Sequence, residues 1–261
     1  MHASHATAYV DHLTHERRPA NTVAAARRVL RSLPAADTAT REDVEAWWAS
    51  RAHLSPATRS NDLAILRTFY AWCRRWEHRD DDPTLRIDAP KVPRGLPRPM
   101  SRADLTRLLP TLPDDLRRAV CLGAYGGLRV SEAAALTWLD VDTENRRVRV
   151  LGKGGKTRLV GMSPLLLDEL LPDTGGNVVT AGGTPYSAAA LQRRVNRAIR
   201  AAGVDCTYHQ LRHRFGTVAL AATGNLLAVS RAMGHASPAT TAIYAATSDA
   251  DLDVIADAVT R

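Results

Sequence analysis

Lysine is almost missing from this chain: Lys91, Lys153 and Lys156 stand against thirty-two arginines. Arginine-heavy usage also follows from a GC-rich coding sequence, so the feature to explain is the pair of lysines in LGKGGKTR, Leu151 to Arg158. Cysteine is scarce as well. Cys73, Cys121 and Cys206 are an odd number at no metal-ligand spacing, which argues against a disulfide framework or a cysteine zinc site and leaves them as small core residues. No run of about 18 apolar residues offers a membrane span. The opening MHASHATAYVDHLTHERR lacks the apolar stretch and small-residue cleavage site of a secretory signal. A cytoplasmic protein with no membrane partner is expected.

What is present points to globular domains and a polyanion. At 261 residues, 45% hydrophobic and 24% charged, the chain is long enough for two compact domains with their own cores. The net charge of +8 favours a polyanionic partner, nucleic acid foremost. Residues 1–93 hold 14 basic against 12 acidic side chains and residues 94–261 hold 21 against 15, so the surplus lies mostly in the second part.

A boundary is readable in DAPKVPRGLPRP, Asp88 to Pro99, where four prolines and a glycine exclude helix and strand ladders. The expected organisation is a helical domain over 1–88, a linker over 89–99 and a second domain over 100–261. In the first domain Asn21 is expected to cap a helix carrying Val23, Ala26, Leu30 and Leu33. Thr40 opens another with acidic residues in its first turn, and Ser55 with Pro56 opens a third carrying Leu63, Leu66, Tyr70 and Cys73. In the second, Ser101 caps a helix and Asp114 to Ala124 forms the next, closed by Gly126-Gly127. The period then changes: RRVRV and Thr157 to Met162 alternate as strands, making LGKGGK the turn of a hairpin. Helices return with SAAALQRRVNRAIRAAG, YHQLRHRFGTVALAATG and NLLAVSRAMG, the last two closed by Gly224 and Gly234. Ser237-Pro238 opens one carrying Tyr244, and Asp249 starts a last helix with Leu252, Ile255 and Val259 on one stripe. The fold class is mainly α with a small β-sheet or hairpin.

Four motifs carry chemistry. GKGGKT is not a nucleotide loop: counting back from Gly155-Lys156-Thr157, the first glycine of G-x-x-x-x-G-K-[ST] falls on Val150, and a strand follows instead of a helix. Lysine differs from arginine in that burial or nearby cations can make it give up a proton, so a lysine here can serve as a general acid. HQLR puts His209 and Arg212 on one helix face, a pair suited to a phosphate. His213 sits four residues from His209, but Gln210 replaces the glutamate of H-E-x-x-H and no third ligand is marked, so no metal is expected. In GLRVSE, Arg129 lies where a glycine turn enters a helix capped near Ser131, a place suited to anions. MGHASPATTAIY sets His235 between two helices, with Tyr244 nine residues on.

Taken together and in order, GLRVSEAAALTWLDVD, VLGKGGKTRLV, HQLRH and MGHASPATTAIY resemble the tyrosine recombinase (phage integrase) family over most of residues 98–250. YVDHL, NTVAAARRVL and SPATRSNDLAILRTFYAWC are similar in outline to its helical core-binding domain. The resemblance implies a two-domain clamp on double-stranded DNA. It also implies a catalytic set of Arg129, Lys153, His209, Arg212, His235 and Tyr244. In this family the tyrosine attacks a DNA phosphodiester, leaving a 3′-phosphotyrosyl link and a free 5′-hydroxyl. Arg129 and Arg212 would clamp the phosphate, Lys153 would protonate the leaving oxygen, His209 would act as base or donor, and His235 as a further donor. Lys156, Arg158, Arg59, Asn61 and Arg67 are expected to contact DNA. No cofactor is implied. The implied partners are attachment or core sites, a homotetramer passing through a Holliday junction in which the last helix docks its Leu252, Ile255 and Val259 stripe on a neighbouring subunit, and a directionality factor, in the cytoplasm and nucleoid of a bacterial host. The start of the chain leaves no space for the arm-binding domain of larger phage integrases, which is read as short attachment sites. Integration of a phage or mobile element is the reading preferred over an Xer-type resolvase of chromosome dimers. A type IB topoisomerase and a non-catalytic DNA-binding regulator of the same fold stand as rival readings.

Overall fold

The computed structural model describes residues 4–92, 98–152, 155–170, 175–235 and 241. The chain divides into two units, Met1–Gly95 and Leu96–Arg261, each with its own core.

The first unit is all helical: α1 (His5–His15), α2 (Ala20–Ser32), α3 (Arg41–Ser50) and α4 (Pro56–Arg75). Its helix starts are set by local chemistry. Thr40 and Asp43 form a reciprocal capping box on α3, and Ser55 accepts from the Thr58 amide with Pro56 at the first helical position of α4. Asn21 does not cap α2. Pro19 occupies that position with an extended backbone, so the helix begins one residue ahead of Asn21. Leu63, Leu66, Phe69, Tyr70 and Cys73 make α4 the centre of the core, against Tyr9, Val10, Val29, Leu30 and Trp47. Asp62, fully buried, is held by Arg28 and Arg51, so its charge is paired rather than stranded.

The second unit begins with α5 (Arg102–Leu108), capped by Ser101, and α6 (Asp114–Gly126), which Gly127 ends in the left-handed conformation at φ +64°. There follow α7 (Val130–Ala135) and a three-stranded antiparallel sheet of β1 (Val141–Asp142), β2 (Arg147–Leu151) and β3 (Thr157–Gly161), in the order β1-β2-β3. The β2–β3 register runs from Arg147 opposite Gly161 to Leu151 opposite Thr157, and the Gly152 amide donates to the Lys156 carbonyl at 2.8 Å. Gly152 and Lys156 are therefore at the hairpin end, with Val148, Val150 and Val160 turned into the core, while Lys153 and Gly154 of the expected turn lie outside the described residues. β1 adds a strand that the sequence pattern did not reveal. So does the small pair β4 (Thr180–Ala181) and β5 (Thr184–Pro185), which follows the short α8 (Pro164–Glu169).

Three helices complete the unit: α9 (Ala188–Ala201), α10 (Tyr208–Thr223) and α11 (Leu226–Met233). α10 crosses α6 at Gly123, where a Cβ would lie 3.1–3.2 Å from Tyr208 and Leu211. That close approach sets the depth of α10, and with it the height of His209 and Arg212. The expected helices at Ser237-Pro238 and Asp249 lie outside the described residues. Among the described residues no helix is long and apolar enough to cross a membrane.

Candidate active site

The site grows from three chain reversals. Gly127 stops α6, and the chain turns so that Arg129, with extended backbone, becomes the N-cap of α7. Ser131, expected near the cap, is inside the helix. The capping acceptor is the Glu132 carboxylate, which takes the Arg129 amide at 2.8 Å. α10 starts on Thr207, whose amide donates to Gln210 Oε1 at 2.7 Å, so Gln210 serves the helix end. α11 stops at Gly234, left-handed at φ +63°, and the His235 amide returns to the Ser230 carbonyl at 3.0 Å.

At the meeting point of these turns sits Glu132, buried, with guanidinium groups on several sides. Arg158 gives it two parallel hydrogen bonds of 2.9 and 2.8 Å, Arg129 Nη1 a third of 2.9 Å, and Arg212 lies 3.9 Å away. Burial opposes ionisation of this carboxyl. The hydrogen bonds from Arg158 and from the Arg129 amide outweigh it and hold the group below the ordinary glutamate range.

The arginines also bind main-chain carbonyls. Arg129 Nη2 donates to Gly234 O at 2.9 Å and Nη1 reaches Met233 O at 3.4 Å, while Arg212 donates to Gly127 O and to Met233 O, the latter at 2.6 Å. The Arg129 side chain is 39% exposed and that of Arg212 only 3%, so Arg129 offers the open face of the pair. Arg158 Nε donates to Ala232 O at 2.8 Å.

Three histidines border this cationic cluster. The rings of His209 and His213 meet edge to face at 4.3 Å. Burial, then Arg212 and Arg129, lower the pKa of His209. Burial, then His209 and Arg212, bring His213 to about 4. Burial, then the cations of Arg212, Arg129 and Arg158, bring His235 to about 4. His235 Nδ1 is 2.6 Å from the hydroxyl of fully buried Thr241. A neutral ring carries one N–H, so a Thr241 hydroxyl donating to Nδ1 leaves that N–H on Nε2.

The residues singled out in the sequence are thus only partly brought together. Arg129, His209, Arg212 and His235 share the cluster. Lys153 and Tyr244 lie outside the described residues. Lys156 is exposed at the hairpin end. Arg158 is not a free DNA contact: its guanidinium is committed to Glu132 and Ala232, and its side chain is 11% exposed. In the first unit Arg59 stacks over Trp48 at 4.2 Å, Asn61 is exposed on α4, and Arg67 donates to the Ile87 carbonyl. Glu132 is the residue that sequence reasoning missed. As a helix-start acid in GLRVSE it reads as an ordinary first-turn carboxylate.

The sequence pattern of the phage integrase family matches residues 100–251, more than half of the chain and all of the cluster. The chain belongs to the phage integrase family. Its relatives include the tyrosine recombinase XerC of Xanthomonas campestris pv. campestris, 36% identical over 210 residues that cover 74% of this chain and 65% of that protein. The chain thus spans somewhat less than two thirds of that relative. The tyrosine recombinase XerD of Xanthomonas axonopodis pv. citri is 35% identical over 225 residues, 76% of this chain and 74% of that one. Among solved structures, the Tn1549 transposon integrase in complex with transposon right end DNA superposes with a TM-score of 0.77 at 18% identity, covering 99% of this chain and 100% of that one. That likeness is one of fold.

Proposed function

We propose that this chain is a site-specific DNA recombinase that cleaves and rejoins double-stranded DNA through a 3′-phosphotyrosyl intermediate on Tyr244. The observation that carries the reading is the convergence of Arg129 and Arg212 on one turn, with neutral His209 and His235 beside them. Two guanidinium groups held by fixed backbone acceptors are preorganised for the charge that builds on a phosphoryl group in its five-coordinate transition state. The Tyr244 hydroxyl attacks phosphorus, giving its proton to His209, whose pKa burial and then the Arg212 and Arg129 cations lower. The bond to the 5′ oxygen breaks and Lys153 supplies the proton to that oxygen. The phosphotyrosyl bond conserves the energy of the phosphodiester, so a 5′-hydroxyl of a second strand reseals it by the reverse path.

Exchange between two duplexes requires four such active sites, so the working assembly is a homotetramer on paired core sites passing through a Holliday junction, with an accessory factor to set direction. The physiological role proposed is integration or excision of a phage or mobile element. The XerC and XerD names of the curated relatives favour a second reading, resolution of chromosome dimers. The two separate by where the recombined site lies: at the ends of a mobile element, or in the chromosome of a host carrying no element.

The chemistry is tested with a nicked suicide substrate that traps the covalent complex. Wild-type protein is expected to form a protease-sensitive protein–DNA adduct and Tyr244→Phe none, with duplex binding retained. A wild-type protein that binds duplex but yields no adduct on any core site would establish a non-catalytic binder.

A further inference from the structure

We infer that Arg158 is a positioning residue that ties the β2–β3 hairpin to the phosphate clamp, so that the hairpin presents its lysine to the leaving oxygen; the inference rests on the recombinase reading above. Arg158 belongs to β3, opposite Val150 and next to the Leu151–Thr157 pair that closes the turn. In the sequence Lys153 and Lys156 both lie between Leu151 and Thr157, and Lys156 is exposed at the hairpin end. From its place on β3 the Arg158 guanidinium reaches two other elements. It grips Glu132 of α7 through both terminal nitrogens at 2.9 and 2.8 Å, and the last turn of α11 through Ala232 O at 2.8 Å.

The clamp and the hairpin share one oxygen. Glu132 Oε1 accepts from Arg158 Nη1 and from Arg129 Nη1, each at 2.9 Å. The guanidinium also lies close against the turn that holds Arg129, since a Cβ on Gly234 would stand 2.9 Å from Arg158 Nη1. Arg129 has the Met233 and Gly234 carbonyls in addition to Glu132, on a turn that the Gly234 and His235 amides also close, onto the Arg231 and Ser230 carbonyls at 3.0 Å each. Among the described residues, the hydrogen bonds from β2 and β3 to α7 and α11 all come from Arg158. Loss of Arg158 therefore leaves the strands their core packing at Val148, Val150 and Val160 and leaves Arg129 its carbonyl acceptors, but frees the hairpin end from α7 and α11. The step that suffers is protonation of the departing oxygen.

The test uses the full chain and two suicide substrates, one ordinary and one with sulfur replacing the bridging 5′ oxygen. A thiol is far more acidic than an alcohol and departs without a proton. Wild type must first form adduct on the ordinary substrate; failure there rejects the recombinase reading and not this tie. Arg158→Gln is expected to cleave the oxygen substrate about a hundredfold more slowly, in the range general acid catalysis supplies. It should cleave the sulfur substrate at close to the wild-type rate, with the same duplex affinity. Equal slowing on both substrates, an unchanged rate on the oxygen substrate, or a loss confined to duplex affinity overturns the proposal, the last in favour of a DNA contact.

Because Arg158→Gln leaves the Glu132 carboxylate short of a partner, Arg158→Lys is measured beside it. Its ammonium keeps the charge but cannot span both carboxylate oxygens and Ala232 O. The same sulfur rescue of a slowed rate is expected, and wild-type cleavage of the oxygen substrate by Arg158→Lys rejects the tie. Poor folding lowers the amplitude of adduct formation on both substrates alike and does not imitate a rescue by sulfur.

Discussion

Replacing Glu132 by glutamine keeps the shape of the side chain and removes the carboxylate that faces Arg129, Arg158 and Arg212. Glu132 is 6% exposed and the Arg158 side chain 11%, so this pair behaves as a buried one. Removing one partner of a buried ion pair costs about 3–5 kcal/mol. The contact to Arg129, whose side chain is 39% exposed, is screened by water and adds little, which puts the loss near the lower end, about 3 kcal/mol. For a unit of this size each kcal/mol moves the midpoint by roughly 2–4 °C, so Glu132→Gln should melt about 6–12 °C below wild type at pH 7.

The pH dependence adds a second signature. The folded pKa of Glu132 is held below its reference value of 4.5, so its contribution to stability is complete above that value and is lost as pH falls through the lower folded one. The gap between wild type and variant should stay level from pH 8 to pH 5 and close as the solution is acidified below about 4.5. Scanning calorimetry across that range measures both. A midpoint shift smaller than about 2 °C at pH 7, or a gap that does not narrow in acid, would refute the argument that this carboxylate neutralises the cluster.

Three further outcomes are expected. Lys153→Ala should reduce cleavage of an ordinary suicide substrate by about 10²–10⁴-fold, while Lys156→Ala chiefly weakens duplex binding; the reverse ranking makes Lys156 the general acid. His213 and His235 are each brought down to about 4 from 6.5, so their folded forms resist protonation, and their contribution is full above 6.5 and lost as pH falls from there toward 4. The wild-type melting point should decline over that window and His235→Gln should flatten part of the decline; parallel profiles would contradict the assignment. Truncation after Thr247 removes the Leu252, Ile255 and Val259 stripe and is expected to preserve single-site binding but abolish synapsis in a gel-shift assay, whereas normal recombination by the truncated chain rules out a subunit-bridging role for the tail.

Much of the local structure was legible in the sequence because its causes are local. Thr40, Ser55 and Ser101 cap the helices their spacing announces, and Gly127, Gly224 and Gly234 end theirs in the left-handed conformation. The hairpin followed from alternation in RRVRV and from the turn residues of LGKGGK. Asn21 failed as a cap because Pro19, which fixes its own φ, set the boundary first. The short strands of β1, β4 and β5 span two residues each, too few for a period to register.

The centre of the site was hidden for a different reason. The contacts that define it join residues 26, 74, 85 and 105 positions apart, and no window of sequence contains them. Arg158 illustrates this well. In a strand beside two lysines it reads as a surface cation, and only the arrival of Glu132 and Ala232 from elsewhere in the chain turns it inward.

The acceptors that hold Arg129 and Arg212 include the main-chain oxygens of Gly127, Met233 and Gly234. A backbone carbonyl survives any substitution that leaves the chain path intact, so this part of the machinery is written in a trajectory and not in an alphabet. Saturation mutagenesis should find position 233 permissive to other apolar residues. Positions 127 and 234 should be intolerant, since both are left-handed and a side chain there would strike Phe215 or Arg158. Such a scaffold leaves exposed side chains free to change while the carbonyl acceptors that fix both guanidinium groups stay in place.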